Sequence, residues 1–129
     1  MAKTTKRSKR KISGGRYKDY RKKRTYEILG LPTSTKVGKE KIKSVRIMGG
    51  KIKTKILVAE SVNVYDPQTK KYKKAKILTV VESPANRHFV KRNIITKGCV
   101  VKTDAGNVKI TSRPGQVGML DGVLLNHKA

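Results

Sequence analysis

Between residues 52 and 64 the chain alternates with period two. The even positions read Ile52, Thr54, Ile56, Val58, Glu60, Val62 and Val64, and the odd ones Lys53, Lys55, Leu57, Ala59, Ser61 and Asn63. Successive side chains of an extended chain point to opposite faces, so this run suits a strand with one buried and one wet face. The pattern predicts one long strand. Val45-Arg46-Ile47 precedes it across Met48-Gly49-Gly50-Lys51, where two glycines supply a hairpin turn. Asp66-Pro67-Gln68-Thr69 is a second turn, with Pro preset for its first central position. It leads into residues 72–81, where Ala75, Ile77, Thr79 and Val81 share a face opposite Lys74, Lys76, Leu78 and Val80. Ser83-Pro84 reads as an N-cap with Pro at the first helical position, opening one or two helical turns through Arg92. Residues 100–103, the turn Asp104-Ala105-Gly106 and residues 108–111 predict another hairpin, and residues 117–125 a last strand. Short strands, tight turns and almost no helix predict a mainly β fold, a small barrel of six or so strands. Closure of such a barrel also removes exposed sheet edges.

Charge decides what such a barrel carries. Of 129 residues, 33 are Lys or Arg and 8 are Asp or Glu, a formal net charge of +25. Self-repulsion on that scale points to a polyanionic partner. Residues 1–26 hold twelve cations against the single acid Asp19, giving +11, and the rest of the chain keeps +14. The apolar residues of this stretch are too few to repay the entropy of ordering it, so alone in solution it is expected to be disordered. The organisation expected is a basic, extended N-terminal arm over residues 1–35 and a β-barrel domain over residues 36–129.

The arm supplies most candidate nucleic-acid contacts: Lys6, Arg7, Lys9, Arg10, Lys11, Arg16, Tyr17, Arg21, Lys22, Lys23 and Arg24. Guanidinium groups pair with phosphates, while Tyr17, with Tyr20 and Tyr26, can stack on unpaired bases or pack against the protein. A localisation signal needs a shorter basic run than this one. The barrel adds Arg87, Lys91 and Arg92 beside Phe89, together with Arg46, Lys51 and Lys97. Arg113 joins them on a loop stiffened by Pro114 and Gly115.

Other classes drop out. No run of 18 apolar residues is present to make a transmembrane helix, and no membrane partner is expected. The basic N-terminus lacks the apolar stretch of a signal peptide, so an intracellular protein is expected. Cys99 alone cannot build a disulfide framework or a zinc site, and in Cys99-Val100-Val101 it reads as a small buried hydrophobe. With no Trp, one Phe and five Tyr, no aromatic-lined pocket for a small-molecule substrate is expected, and no cofactor or metal. The histidines are His88 and His127, and His88 with Glu82 is the only acid–base pair that can be assembled for a ribonuclease. No recognisable spacing supports it, so catalysis is not expected.

Several blocks in order carry a resemblance. Ser13-Gly14-Gly15-Arg16, then Arg21-Lys22-Lys23-Arg24-Thr25-Tyr26-Glu27 with Pro32, and Thr35-Lys36-Val37-Gly38 resemble the opening of the S8e family of small-subunit ribosomal proteins. Val45-Arg46, Gly49-Gly50, Asn63-Val64 and Asp66-Pro67 continue it. Arg92-Asn93-Ile94-Ile95-Thr96-Lys97-Gly98 and Thr111-Ser112-Arg113-Pro114-Gly115-Gln116 are its most specific motifs. Cys99 and Asp121 depart from the pattern, which more often has Ala and Asn there. The resemblance implies a structural component of the small subunit in archaea or eukaryotes. It would bind ribosomal RNA beside neighbouring ribosomal proteins in the cytoplasm. The compact length is similar to that of archaeal members. The rival expectation is a chaperone or chromatin protein that binds RNA or DNA outside the ribosome.

Overall fold

A computed structural model describes residues 7–125, so the candidate Lys6 and the second histidine, His127, lie outside the described residues. Contacts divide the chain into two units, Met1–Pro32 and Thr33–Ala129. Among the described residues the second unit contains nine strands: β1 (Thr35–Val37), β2 (Lys41–Arg46), β3 (Ile52–Ala59), β4 (Ser61–Asp66), β5 (Lys71–Glu82), β6 (Ile94–Ile95), β7 (Val100–Thr103), β8 (Gly106–Ile110) and β9 (Asp121–Leu124). Five of them, in the order β4-β5-β7-β8-β9, close a barrel, and the other four form a sheet ordered β2-β3-β1-β6. An odd number of strands cannot alternate direction all the way round. One seam must be parallel, and it is β4 with β9, where Asn63, Val64 and Tyr65 face Asp121, Gly122 and Val123.

The three turns read from sequence all join antiparallel neighbours. β2 and β3 pair from Arg46 opposite Ile52, and Gly49 and Gly50 between them take φ of 77° and 75°. β4 and β5 pair from Asp66 opposite Lys71, and β7 and β8 from Thr103 opposite Gly106. The expected single strand over 52–64 is instead two strands in different sheets. Buried positions run Ile56 then Ala59 in β3, and Val62 then Val64 in β4. The step of three between Ile56 and Ala59 turns the inward face, and the chain bends at Glu60. Glu60 holds the corner: its carbonyl accepts the N–H of Ile77 at 2.9 Å and its carboxylate lies 3.6 Å from Lys76.

The face expected over residues 72–81 is corrected halfway along. Ala75 and Ile77 point inward as expected, but the next buried residue is Val80, while Thr79 and Val81 face out. Register shifts between Ile77 and Thr79 and between Val80 and Glu82 mark bulges, and one extra residue inverts every following side chain. β5 needs them because it coils through the barrel, pairing with β4 over residues 71–76 and with β7 over 77–82. The expected helix shrinks to one turn, α1 (His88–Lys91). Its entry is fixed by Asn86, whose Oδ1 accepts the His88 N–H at 2.9 Å, whereas Ser83 is buried at the end of β5. The last strand is shorter than residues 117–125, because residues 117–119 form bends and β9 begins only at Asp121.

One core joins the barrel to the four-stranded sheet: Val62, Val64, Ala75, Ile77, Val80, Val101, Val108 and Ile110 inside, with Ile56, Ala59, Ile95, Cys99 and Leu120 beside them. It is almost entirely aliphatic and β-branched, the residue type a small pleated interior accepts, and each buried Val or Ile contributes about 1.5–3 kcal/mol. Among the described residues Thr35, Ser83 and Thr103 are the buried polar ones, and the Thr35 hydroxyl donates to the Ile56 carbonyl at 2.6 Å and so pins β1 to β3. Gly122 on β9 has no room for a side chain: a Cβ there would lie 2.5 Å from Val108 Cγ1 and 3.0 Å from the Lys109 carbonyl oxygen. Cys99 is fully buried and its burial pushes the thiol up from its ordinary pKa, so the reactive thiolate is scarce. An aromatic disulfide reagent is expected to label Cys99 only after denaturant opens the core. Rapid labelling of the native protein would show that the interior breathes.

Candidate nucleic-acid interface

Within residues 7–32 the chain makes a tight turn stabilised by its own backbone. Arg10 and Arg16 form an antiparallel bridge, the Lys11 N–H donates to the Gly15 carbonyl at 2.7 Å, and the Tyr17 N–H donates to Lys9 at 3.0 Å. Lys9, Arg10, Lys11 and Arg16 are thereby presented around one exposed loop. Tyr17 is not an open stacking surface: the Arg7 guanidinium lies 3.8 Å from its ring centroid and the Lys11 ammonium 5.6 Å. A cleft of about 400 Å³ is lined by Arg7, Tyr17, Tyr20, Arg21, Lys23 and Glu27 among others.

Arg21 differs from the other arm cations. It forks onto Glu27 with contacts of 3.1 and 2.6 Å and donates through Nε to the Tyr20 hydroxyl at 2.9 Å. These bonds, Glu27 first, hold the guanidinium pKa above its ordinary value. Glu27 also accepts the Arg24 N–H at 3.1 Å and closes a short 3-10 turn over Thr25–Glu27. Arg21 is therefore a brace of the arm, and a phosphate must compete with Glu27 for it. Lys22 and Arg24 are exposed, while Lys23 is half-buried.

In the second unit the candidates fall into three groups. Arg87, Lys91 and Arg92 flank the single turn of α1 and are exposed. Lys97 lies in the turn before β7, whose Gly98 N–H donates to the Ile110 carbonyl at 2.8 Å, and this brings it to the start of the segment that carries the exposed Arg113. Arg46 and Lys51 sit together at the tip of the β2–β3 hairpin, where the Ile47 N–H donates to Lys51 at 2.8 Å. The two most specific motifs are largely structural between their cations. Asn93 adopts φ 48° to end α1, and its Oδ1 accepts the Val80 N–H at 3.3 Å beside the β5 bulge. Ile94 and Ile95 are buried. In the second motif the Pro114 carbonyl accepts the Ile56 N–H at 2.9 Å, and the Ser112 hydroxyl accepts the Asp121 N–H at 3.0 Å.

Sequence reasoning passed over one basic, aromatic surface. Tyr65 and Tyr72 stand opposite each other on β4 and β5 with ring centroids 5.0 Å apart and planes tilted by 43°. The signal was present in their equal distances from the Asp66–Lys71 pair that closes the turn. His88 and Glu82, the pair weighed for acid–base chemistry, are both exposed.

Comparison with known proteins gives a consistent match. The family profile described as Ribosomal protein S8e matches residues 4–125. A small ribosomal subunit protein eS8 of Nanoarchaeum equitans is 50% identical over 119 residues, covering 92% of this chain and 94% of that protein. Its counterpart in Sulfurisphaera tokodaii is 47% identical over 117 residues, covering 90% and 91%. That of Methanosphaera stadtmanae is 47% identical over 118 residues, covering 92% and 94%.

Proposed function

The chain belongs to the ribosomal protein S8e family, and from that membership we propose that it is a structural constituent of the small ribosomal subunit, of the archaeal type, that binds ribosomal RNA. The observation that carries this reading is the match along residues 4–125 to proteins named for the small subunit. Its chemistry is a two-part grip. The arm, residues 1–35, lays its cations along RNA phosphates, and the barrel domain, residues 36–129, docks as a rigid body through Arg46, Lys51, Arg87, Lys91, Arg92, Lys97 and Arg113. Phosphate contacts of this kind release counterions and dominate affinity. Specificity comes from RNA shape and unpaired bases, because the major groove of A-form RNA is closed to side chains. The protein performs no catalysis in this role and works in the cytoplasm as part of the ribosome.

Neighbouring ribosomal proteins are proposed as further partners. A groove between the β2–β3 hairpin and the loop before β9 is lined by Ile42, Ile47, Ile52, Val117 and Met119, all exposed, with Lys51 and Lys53 at its edge. Apolar side chains gathered under lysines suit an apolar protein segment flanked by acids. The test is sedimentation of a native extract followed by RNA–protein crosslinking in the small-subunit fraction. A stoichiometric small-subunit peak is expected, with crosslinked peptides containing the arm and the turn at Lys97. Diffuse sedimentation without a subunit peak would favour a chaperone or chromatin protein outside the ribosome.

A further inference from the structure

We propose that the outer face of the β4–β5 hairpin is a second RNA site, a platform on which an unpaired base stacks against Tyr72. The inference rests on the RNA-binding reading above and adds to it a place and a ligand form, single-stranded nucleotides.

Register builds the surface. Inward positions of the hairpin are Val62, Val64, Ala75 and Ile77, so the alternate residues face out. Following the ladders sideways, Tyr72 faces Tyr65, Tyr65 faces Val123 on β9, and Val123 faces Lys109 on β8. Neighbouring strands lie about 4.8 Å apart, so this row of aromatic, aromatic, aliphatic and cationic side chains spans about 14 Å. The next row reads Lys74, Asn63, Asp121, and the one after it brings Lys76 opposite Ser61.

Tyr72 remains 76% exposed although Tyr65 lies directly beside it. A cross-strand pair kept only for packing would cover more of the ring. The rings offer an apolar face, and the surroundings select what occupies it. Lys74 and Lys109 share the outer surface with Lys76, which Glu60 pairs at 3.6 Å, and Lys70 and Lys71 close the hairpin end. Lys70 takes φ 54°, a left-handed position that favours Gly or Asn, and still carries a cation. The nearby acids are engaged within the fold. Asp66 accepts from the Gln68 N–H at 3.0 Å and the Thr69 hydroxyl at 2.9 Å, and Asp121 accepts from the Asn63 amide at 3.1 Å. An aromatic face ringed by lysines fits a base with its phosphates, since every base has a π-face and every linkage a negative charge. A protein segment would need acids in place of phosphates and is the competing occupant.

The test uses the full chain, an eight-nucleotide unstructured RNA and an RNA duplex of equal length. Tyr72→Ala is expected to weaken single-strand binding by roughly 5- to 100-fold, the loss of one base–aromatic stack, with duplex binding unchanged. Tyr72→Phe keeps the ring and should retain wild-type affinity. Ultraviolet crosslinking of a 4-thiouridine-substituted strand should map to the peptide containing Tyr72. Equal losses for both RNAs, no loss for either, or a Phe variant as weak as the Ala variant overturns the inference. So does a crosslink from the Tyr72 peptide to protein rather than RNA in intact subunits. Any of these outcomes, with wild-type chain still binding small-subunit RNA, removes only the platform. Failure of the wild type to bind that RNA removes the broader reading. Since Tyr72 is a surface side chain, its removal leaves the core intact, and unchanged thermal unfolding confirms that each variant is folded.

Discussion

Deleting residues 1–26 is expected to weaken binding to small-subunit ribosomal RNA by on the order of 100-fold at 0.15 M salt, and to halve the salt dependence. The full chain, neutralising roughly 8–10 phosphates, should show a log–log salt slope of about −6 to −9. The deleted stretch holds +11 of the +25, so the remaining barrel, with +14, should keep a slope of about −3 to −5. What the barrel retains is site preference, because its cations are held on turns and on a short helix fixed by the core. Substituting Arg10, Lys11 and Arg16 together by Gln in the full chain should flatten the slope by about 2–3, each cation contributing one phosphate. Arg21→Gln has a different consequence: it releases Glu27 and loosens the 3-10 turn over Thr25–Glu27, so its effect should exceed that of one lost phosphate. An unchanged slope after deletion would mean that the arm does not lie on RNA.

Gly122→Val is expected to be the most damaging single substitution in the barrel. The position lies on β9 between Val64 of the parallel seam and Ile110 of β8. A branched side chain there collides with Val108 Cγ1 and with the backbone at Lys109, and backbone cannot yield without spreading the ladder. Overpacking of this kind costs about 3 kcal/mol, which for a unit of this size lowers Tm by on the order of 10–20 °C. Gly122→Ala should show the same effect at smaller size, since its Cβ already meets those atoms. Thermal unfolding by circular dichroism measures both. A Tm within a few degrees of the wild type would mean that the seam is wider than the structure has it.

The hairpins were legible because their turns are written in local chemistry: Gly49-Gly50, Asp66-Pro67 and Asp104-Ala105-Gly106 each sit between alternating runs. What alternation cannot show is where a run changes sheets. Glu60 is the one charge in the even register, but Val62 and Val64 resume the alternation beyond it, so the point where β3 and β4 part reads as a single polar position within one strand. Likewise Thr79, Val80 and Val81 are all acceptable on either face, so the β5 bulges that decide between them leave no trace in composition. β1 and β6, three and two residues long, are too short to display any period and exist because long-range partners claim them. Charge located the arm but gave no hint that Arg7 covers Tyr17 or that Glu27 occupies Arg21. The Tyr65–Tyr72 pair was passed over because the turn was read from Asp66 to Thr69 without its register, and only the closure of Asp66 on Lys71 sets the two rings opposite each other.

The parallel seam sets an order of events during synthesis. The antiparallel neighbours in the barrel can pair in the order in which their strands emerge, but β4 must wait for β9, some sixty residues later in the chain. Until then the barrel is an open sheet with unpaired margins on β4 and β8, the state most exposed to sticking to other nascent chains. The twelve cations of residues 1–26 precede all of this. A polyanion can therefore hold the chain by this earlier stretch, and mutual repulsion can keep copies apart, throughout the interval in which the barrel has no last strand to close it.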